Sequence, residues 1–220
     1  MRIRHKAWAK PELEACPFYV PEPKALRGHW REQFPHPERP LYLELGCGKG
    51  GWISQAVLRY PQVNLIALDI KNEMLGLAKR KLDAAYAAAQ QPAENVKIAI
   101  FNISYIAEAF APEDRVDRIY INFCNPWPRP KHKKRRLTHP RQLMQYKAFL
   151  RGELWFKTDD DELFQETLEY LPECGYRVTY QTWDLHASGF AENLETEHEK
   201  MFTDEGKCIK FLIAQPEGQV

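Results

Sequence analysis

Short apolar runs with strand character alternate with longer helical stretches along most of this chain, and that alternation leaves few folds open. LYLEL (41–45) leads through glycines into a helix ending near Tyr60, and NLIALDI (64–70) precedes an Ala- and Lys-rich helix from Asn72 to Gln90. NVKIAIFN (95–102) is followed by a short helix near Ser104 to Phe110, and DRIYINF (117–123) by a basic loop and a helix near Arg141 to Leu150. ELWFKTD (153–159) precedes a helix over Asp161 to Cys174, and RVTYQTWDL (177–185) and KCIKFLIA (207–214) close the pattern. Strands separated by helices imply parallel βαβ units. The expected architecture is an α/β, doubly wound, mostly parallel seven-stranded sheet. The last two runs lack a clear crossover helix between them, so one strand near the C-terminus is expected to be antiparallel. Residues 1–40 are proline-rich with mixed charge and read as a basic arm packed on a single domain spanning 41–220.

A chain of 220 residues with 44% hydrophobic content can bury one full core. Net charge is only +1, so any polyanion must be met by a local patch. Two such patches exist, at Arg2, Arg4, Lys6 and Lys10 and again across Arg129 to Arg141. Cys16, Cys47, Cys124, Cys174 and Cys208 are odd in number and form no CxxC pair, which fits a reduced compartment and no structural zinc. MRIRHKAWAK carries no apolar signal region, and no apolar run has the length of a membrane span. The expectation is a cytoplasmic protein with no membrane partner and no metal.

The first strand runs into ELGCGKGG. Gly46, Gly48 and Gly50 allow a tight turn and a close backbone approach to a ligand. Asp69 ends the second strand, where an acidic group accepts hydrogen bonds from ribose hydroxyls. Two ligands fit this pattern. Gly46, Gly48 and Gly51 satisfy the GxGxxG of nicotinamide dinucleotide sites, whereas Glu44 before GxGxG is the arrangement of S-adenosylmethionine sites, the carboxylate facing the cationic methionine end. Asn102, at the end of the third strand, is placed either to meet the adenine edge or simply to form a turn.

NPWPRPKHKKRR (125–136) follows the fourth strand and places six Lys or Arg within eight residues at the ligand edge of the sheet. A nicotinamide enzyme has no use for it. Methyltransferases often carry a polar–Pro–aromatic motif here, and the cations suit RNA phosphates. Trp127 either stacks on an extruded base or plugs a proline-fixed turn.

Taken together, RIRHKAWA, ELGCGKG, NFCNPWPRPKHKKRRL, FKTD (156–159) and TEHEKMF (196–202) resemble, in order and nearly end to end, the motifs of the bacterial tRNA (guanine-N7-)-methyltransferase family. The resemblance implies a Rossmann-like fold, S-adenosylmethionine as methyl donor, tRNA as partner, and a monomer or homodimer. It implies donor contacts at Glu44, Gly46, Gly48, Gly50, Asp69, Asn102 and Asn125. It implies substrate or RNA contacts at Arg129, Lys131, His132, Lys133, Lys134, Arg135, Arg136, Asp159, Thr196, Glu197, His198 and Glu199. Asn125, Asp159 and Glu199 are the catalytic candidates. This chain departs from the family at Asn125, where aspartate is usual, at Arg129, usually lysine, and at His198, usually aromatic. The implied reaction methylates guanine N7, whose lone pair is free, so no general base is needed. Positioning and stabilisation of the positive charge developing on the purine remain as the enzyme's tasks.

Overall fold

The computed structural model describes residues 5–218, so the cationic positions Arg2 and Arg4 lie outside the described residues. The strands are β1 (Tyr19–Val20), β2 (Leu41–Leu45), β3 (Asn64–Asp69), β4 (Val96–Ile100), β5 (Val116–Asn122), β6 (Leu150–Thr158), β7 (Tyr176–Thr182) and β8 (Lys210–Pro216). The α-helices are α1 (Ala9–Glu14), α2 (Ile53–Arg59), α3 (Asn72–Ala89), α4 (Pro140–Phe149), α5 (Asp161–Glu173) and α6 (Glu197–Asp204).

All eight strands form one sheet in the order β1-β4-β3-β2-β5-β6-β8-β7. Seven were expected. The eighth is β1, a two-residue run too short to stand out in a proline-rich segment, which extends the sheet by pairing parallel to β4 (Tyr19↔Ile98, Val20↔Ala99). The single antiparallel strand is β8, which runs against both β6 and β7. The helix near Ser104 is a 3-10 turn over Ile103–Glu108, and the basic loop contains another over Pro130–Arg135. α6 was not expected, because EHEKMFTD holds only two apolar residues, Met201 and Phe202; it forms through a capping box in which Thr196 and Glu199 satisfy each other's backbone N–H groups.

Residues along each strand feed two cores in alternation. Leu43, Ile66, Ile119, Ile121, Leu154 and Phe156 face one layer with α4 and α5, while Leu65, Ala67, Ile98, Tyr120 and Trp155 face the other with α2 and α3. Every residue of β3 is buried, as expected for a central parallel strand covered on both faces. α3 buries Leu75, Ala78, Leu82 and Tyr86, a helical stripe. At Gly76 it admits α1 closely: a Cβ there would lie 2.9 Å from the Trp8 ring. The Arg80 guanidinium lies over that ring, 3.5 Å from its centroid, and donates to Glu12 at 2.8 Å.

Trp30 anchors the segment ahead of β2. It is fully buried, stacks on Phe110 with centroids 5.1 Å apart, and donates from Nε1 to the Ala109 carbonyl at 2.8 Å. Asp114 accepts from the Trp30, Gly28 and Ala111 amides at 3.0, 2.9 and 2.8 Å, closing the same corner. Trp30→Ala leaves a large cavity and an unpaired carbonyl, and should lower unfolding free energy by about 3–5 kcal/mol in urea titration. A loss under about 1 kcal/mol would mean that this segment is not part of the folding core.

Candidate active site

The strand order reverses between β2 and β5, and ligands of open α/β sheets bind at the carboxyl ends of the strands beside such a reversal. A cavity of about 400 Å³ lies there. One wall is the turn after β2, in which the Gly46 and Cys47 amides both donate to the Leu68 carbonyl, at 2.9 and 3.0 Å. Gly48 has φ +55° and Gly50 φ +77°; a Cβ on Gly50 would approach the Ala78 Cα to 2.8 Å. Gly50 therefore serves helix packing against α3, whereas Gly46, Gly48 and Gly51 line the cavity. Asp69 fixes the turn by accepting from the Gly48 amide at 3.0 Å and the Lys71 amide at 2.9 Å.

Glu44 lies at the floor, almost wholly buried. Its Oε1 accepts from the Asn122 amide at 3.2 Å across the reversal, while Oε2 is buried and makes no full hydrogen bond, the Ile53 amide nearby easing the carboxylate's charge only weakly. Burial pushes its carboxyl up to about 8, only partly opposed by the Asn122 hydrogen bond. An unsatisfied buried carboxyl oxygen is costly, and a cationic donor in the cavity would relieve that cost. Together with the bare glycine wall and Asp69, whose own carboxyl burial also raises, these residues fit the cationic end and ribose of S-adenosylmethionine.

The opposite wall leaves β5 through Phe123 and Trp127, two bulky residues at φ +53° and +44°. Such conformations are strained and persist only when neighbours over-determine them. Here the Asn125 side-chain oxygen accepts from the Trp127 amide at 3.0 Å, an Asx turn. Arg136 is fully buried and donates to the Pro126 carbonyl and to Glu166, both at 2.5 Å. Lys133 also turns back onto α5, pairing with Glu162 and Glu166. Arg129, Lys131, Lys134 and Arg135 stay exposed, with the Arg135 guanidinium 5.1 Å over Trp127 and the His132 ring 5.9 Å from the same indole. One run of cations thus splits into anchors and free charges.

The remaining candidates do not converge on one point. Thr196, Glu197 and His198 line the cavity from the N-terminus of α6, and the Lys81 ammonium beside Glu197 holds that carboxyl below its usual range. Glu199 is fully buried beneath them, with both oxygens engaged. Asp159 lines a separate cleft with Trp183, Lys207 and Lys210, its carboxylate 3.8 Å from Lys207; helix capping falls to Asp160, which accepts from the Leu163 amide at 2.7 Å. Asn102 is exposed, accepts from the Ser104 amide at 3.1 Å, and does not line the cavity, so the turn-forming alternative describes its geometry. Sequence reasoning missed Asn122, Phe123, Ile70 and Met74 on the cavity wall. Asn122 had a signal, since it is a polar side chain at a strand's carboxyl end. Ile70, an isoleucine 56% exposed on the rim, had none.

A family profile described as a methyltransferase matches residues 38–212. The chain is 56% identical to a tRNA (guanine-N(7)-)-methyltransferase of Clostridium beijerinckii over 216 residues, which cover 97% of this chain and 98% of that protein. It is 54% identical to the Clostridium perfringens (strain SM101) protein of the same name, with 98% and 99% covered. Among solved structures, the 16S rRNA methyltransferase KamB superposes with a TM-score of 0.59 at 14% identity, over 84% of this chain and 90% of that one. An antibiotic-related methyltransferase superposes with a TM-score of 0.55 at 17% identity, over 83% and 88%. Likenesses at that level are of fold alone. More than half of all residues shared across the full length of both chains is a different matter, and it makes this protein a member of the tRNA (guanine-N(7)-)-methyltransferase family.

Proposed function

We propose that this protein transfers the methyl group of S-adenosylmethionine to N7 of a guanine in the tRNA variable loop, forming 7-methylguanosine, in the cytoplasm. The observation that carries the reading is the unpartnered Oε2 of Glu44 at the floor of a glycine-walled cavity whose far side is a cationic, aromatic loop. When bound, S-adenosylmethionine supplies an electrophilic methyl on a positively charged sulfur. Glu44, oriented by Asn122, holds the donor's ammonium. Asp69 uses one lone pair on each oxygen for the turn and offers the others to ribose. Ile70 gives the adenine an apolar surface.

Guanine N7 attacks through its own lone pair, so no residue has to remove a proton first. The protein's work is alignment and charge compensation. Asn125 and Trp127 shape the wall against which the base is presented, and Thr196, Glu197 and His198 close the other side. Asp159, its carboxyl raised chiefly by burial, accepts from a purine edge in the neighbouring cleft. Arg129, Lys131, Lys134 and Arg135 meet the phosphates.

Incubating the protein with unmodified tRNA and methyl-labelled S-adenosylmethionine should place the label in 7-methylguanosine of the variable loop. No transfer at high enzyme concentration would leave a tRNA-binding protein without catalysis. Neutralising Lys131, Lys134 and Arg135 together should reduce the salt slope of tRNA binding by about 2–3. Lys133→Ala with Arg136→Ala should instead lower the melting temperature, and an unchanged slope in the first variant would return those cations to solvent.

Binding of the donor should also depend on pH through Glu44. Its raised carboxyl keeps its proton below about pH 8, so capture of an ammonium must release that proton. Affinity therefore rises with pH from about 6 to 7.5, by up to tenfold per unit, and Glu44→Gln removes the rise. A flat calorimetric profile for the unaltered protein over that range would exclude the assignment.

A further inference from the structure

Beneath the α6 wall lies a buried ion pair with no solvent face. Lys157, on β6, is 4% exposed and Glu199, on α6, is 0% exposed. The Lys157 ammonium has three acceptors for its three protons: Glu199 Oε2 at 2.5 Å, Asn193 Oδ1 at 2.9 Å and the Leu194 carbonyl at 3.1 Å. The carboxylate of Glu199 is saturated as well. It also accepts from Asn193 Nδ2 at 2.6 Å and the Thr196 amide at 3.3 Å, and His186 Nε2 lies 3.1 Å from Oε1. Burial disfavours the Lys157 charge and Glu199 opposes that effect, so the lysine's charge rests on the carboxylate.

The same lysine reaches the opposite wall. Its carbonyl accepts from the Phe123 amide at 2.9 Å, and its ammonium lies 5.8 Å from the Phe123 ring centroid. Phe123, at positive φ, stacks toward His198 with centroids 6.4 Å apart. Lys157 therefore joins the exit of β5 to the cap of α6, the two elements between which a base must enter. From this geometry we infer that Lys157 and Glu199 are positioning residues for methyl transfer: their ion pair sets the Thr196–His198 edge of the cavity against Phe123, and Glu199 acts without touching the guanine. The inference rests on the methyl-transfer reading above.

A double-mutant cycle tests it on the full-length protein, with kcat/KM for tRNA and hydrogen exchange of the 193–204 amides as readouts. Lys157→Met removes the ammonium from a buried carboxylate that keeps only Asn193, the Thr196 amide and His186, and should cut kcat/KM at least about tenfold while raising exchange in that segment. Glu199→Gln lets the buried Lys157 go neutral while keeping an acceptor for it and for the Thr196 amide, and should retain at least about a third of kcat/KM. The double variant leaves no charge unpaired, and should recover to within about threefold of the unaltered protein in both readouts. A hundredfold or greater loss in Glu199→Gln, with exchange unchanged, would mean that the carboxylate meets the substrate directly and would overturn the proposal. So would a double variant no better than the worse single one. Should Lys157→Met fail to fold, Glu199→Gln decides alone, because the two roles predict losses differing by more than an order of magnitude. Absence of 7-methylguanosine with the unaltered protein would remove the methyl-transfer reading itself; the exchange data would still report whether the pair holds α6.

Discussion

A hydrogen bond between two strand ends, Asn122 to Glu44, spans the point between β2 and β5 where the strand order reverses. Parallel strands on either side of a reversal splay their following loops apart, and the gap cannot be filled by helices from either face. At its base two polar side chains, Asn122 and Glu44, face each other. One carboxyl oxygen is satisfied by the amide and the other is left without a partner, so the fold itself supplies the demand for a cation. The glycine turn, the Asp69 brace and the strained exit through Phe123 are arranged around that demand.

The acidic residues at this edge look equivalent in composition but occupy different electrostatic surroundings. Glu44 is deep and held neutral by desolvation, Glu197 is exposed and kept ionised by Lys81, and Asp159 is half-buried in a cleft of its own. Glu199 is buried but fully paired, so its charge is spent inside the protein.

Much of this was legible in the sequence because it depends on local pattern. Strand runs, glycine spacing and the polar residue at a strand end each report through short-range physics, and β2 to β8 lie near the runs that announced them. What stayed hidden depends on partners remote in sequence. Lys133 and Arg136 are indistinguishable from Lys131 and Lys134 as letters; only the approach of Glu162 and Glu166 on α5 gives them partners within the protein. β1 exists because β4 offers an edge, not because Tyr19 and Val20 have unusual propensity. The pairing of Glu199 was hidden for the same reason: nothing in TEHE reveals that Lys157, from a strand distant in sequence, donates to its carboxylate.

Asn125 is the position where sequence pattern and geometry together say more than either alone. The family's usual aspartate invites the view that a negative charge has been lost beside the substrate. In the folded chain, however, the side-chain oxygen at this position already accepts the Trp127 amide, and that bond holds an indole in a conformation that bulky residues otherwise avoid. An amide oxygen and a carboxylate oxygen accept such a bond with nearly the same geometry. The turn, the placement of Trp127 and the packing of Arg135 over it therefore survive the exchange. What changes is the second atom of the side chain, from an acceptor to a donor. A neutral donor carries no negative charge to the cavity, so of the carboxylates in this region only Glu44, Asp69 and Glu197 line it, while Asn125 keeps the turn that shapes its wall.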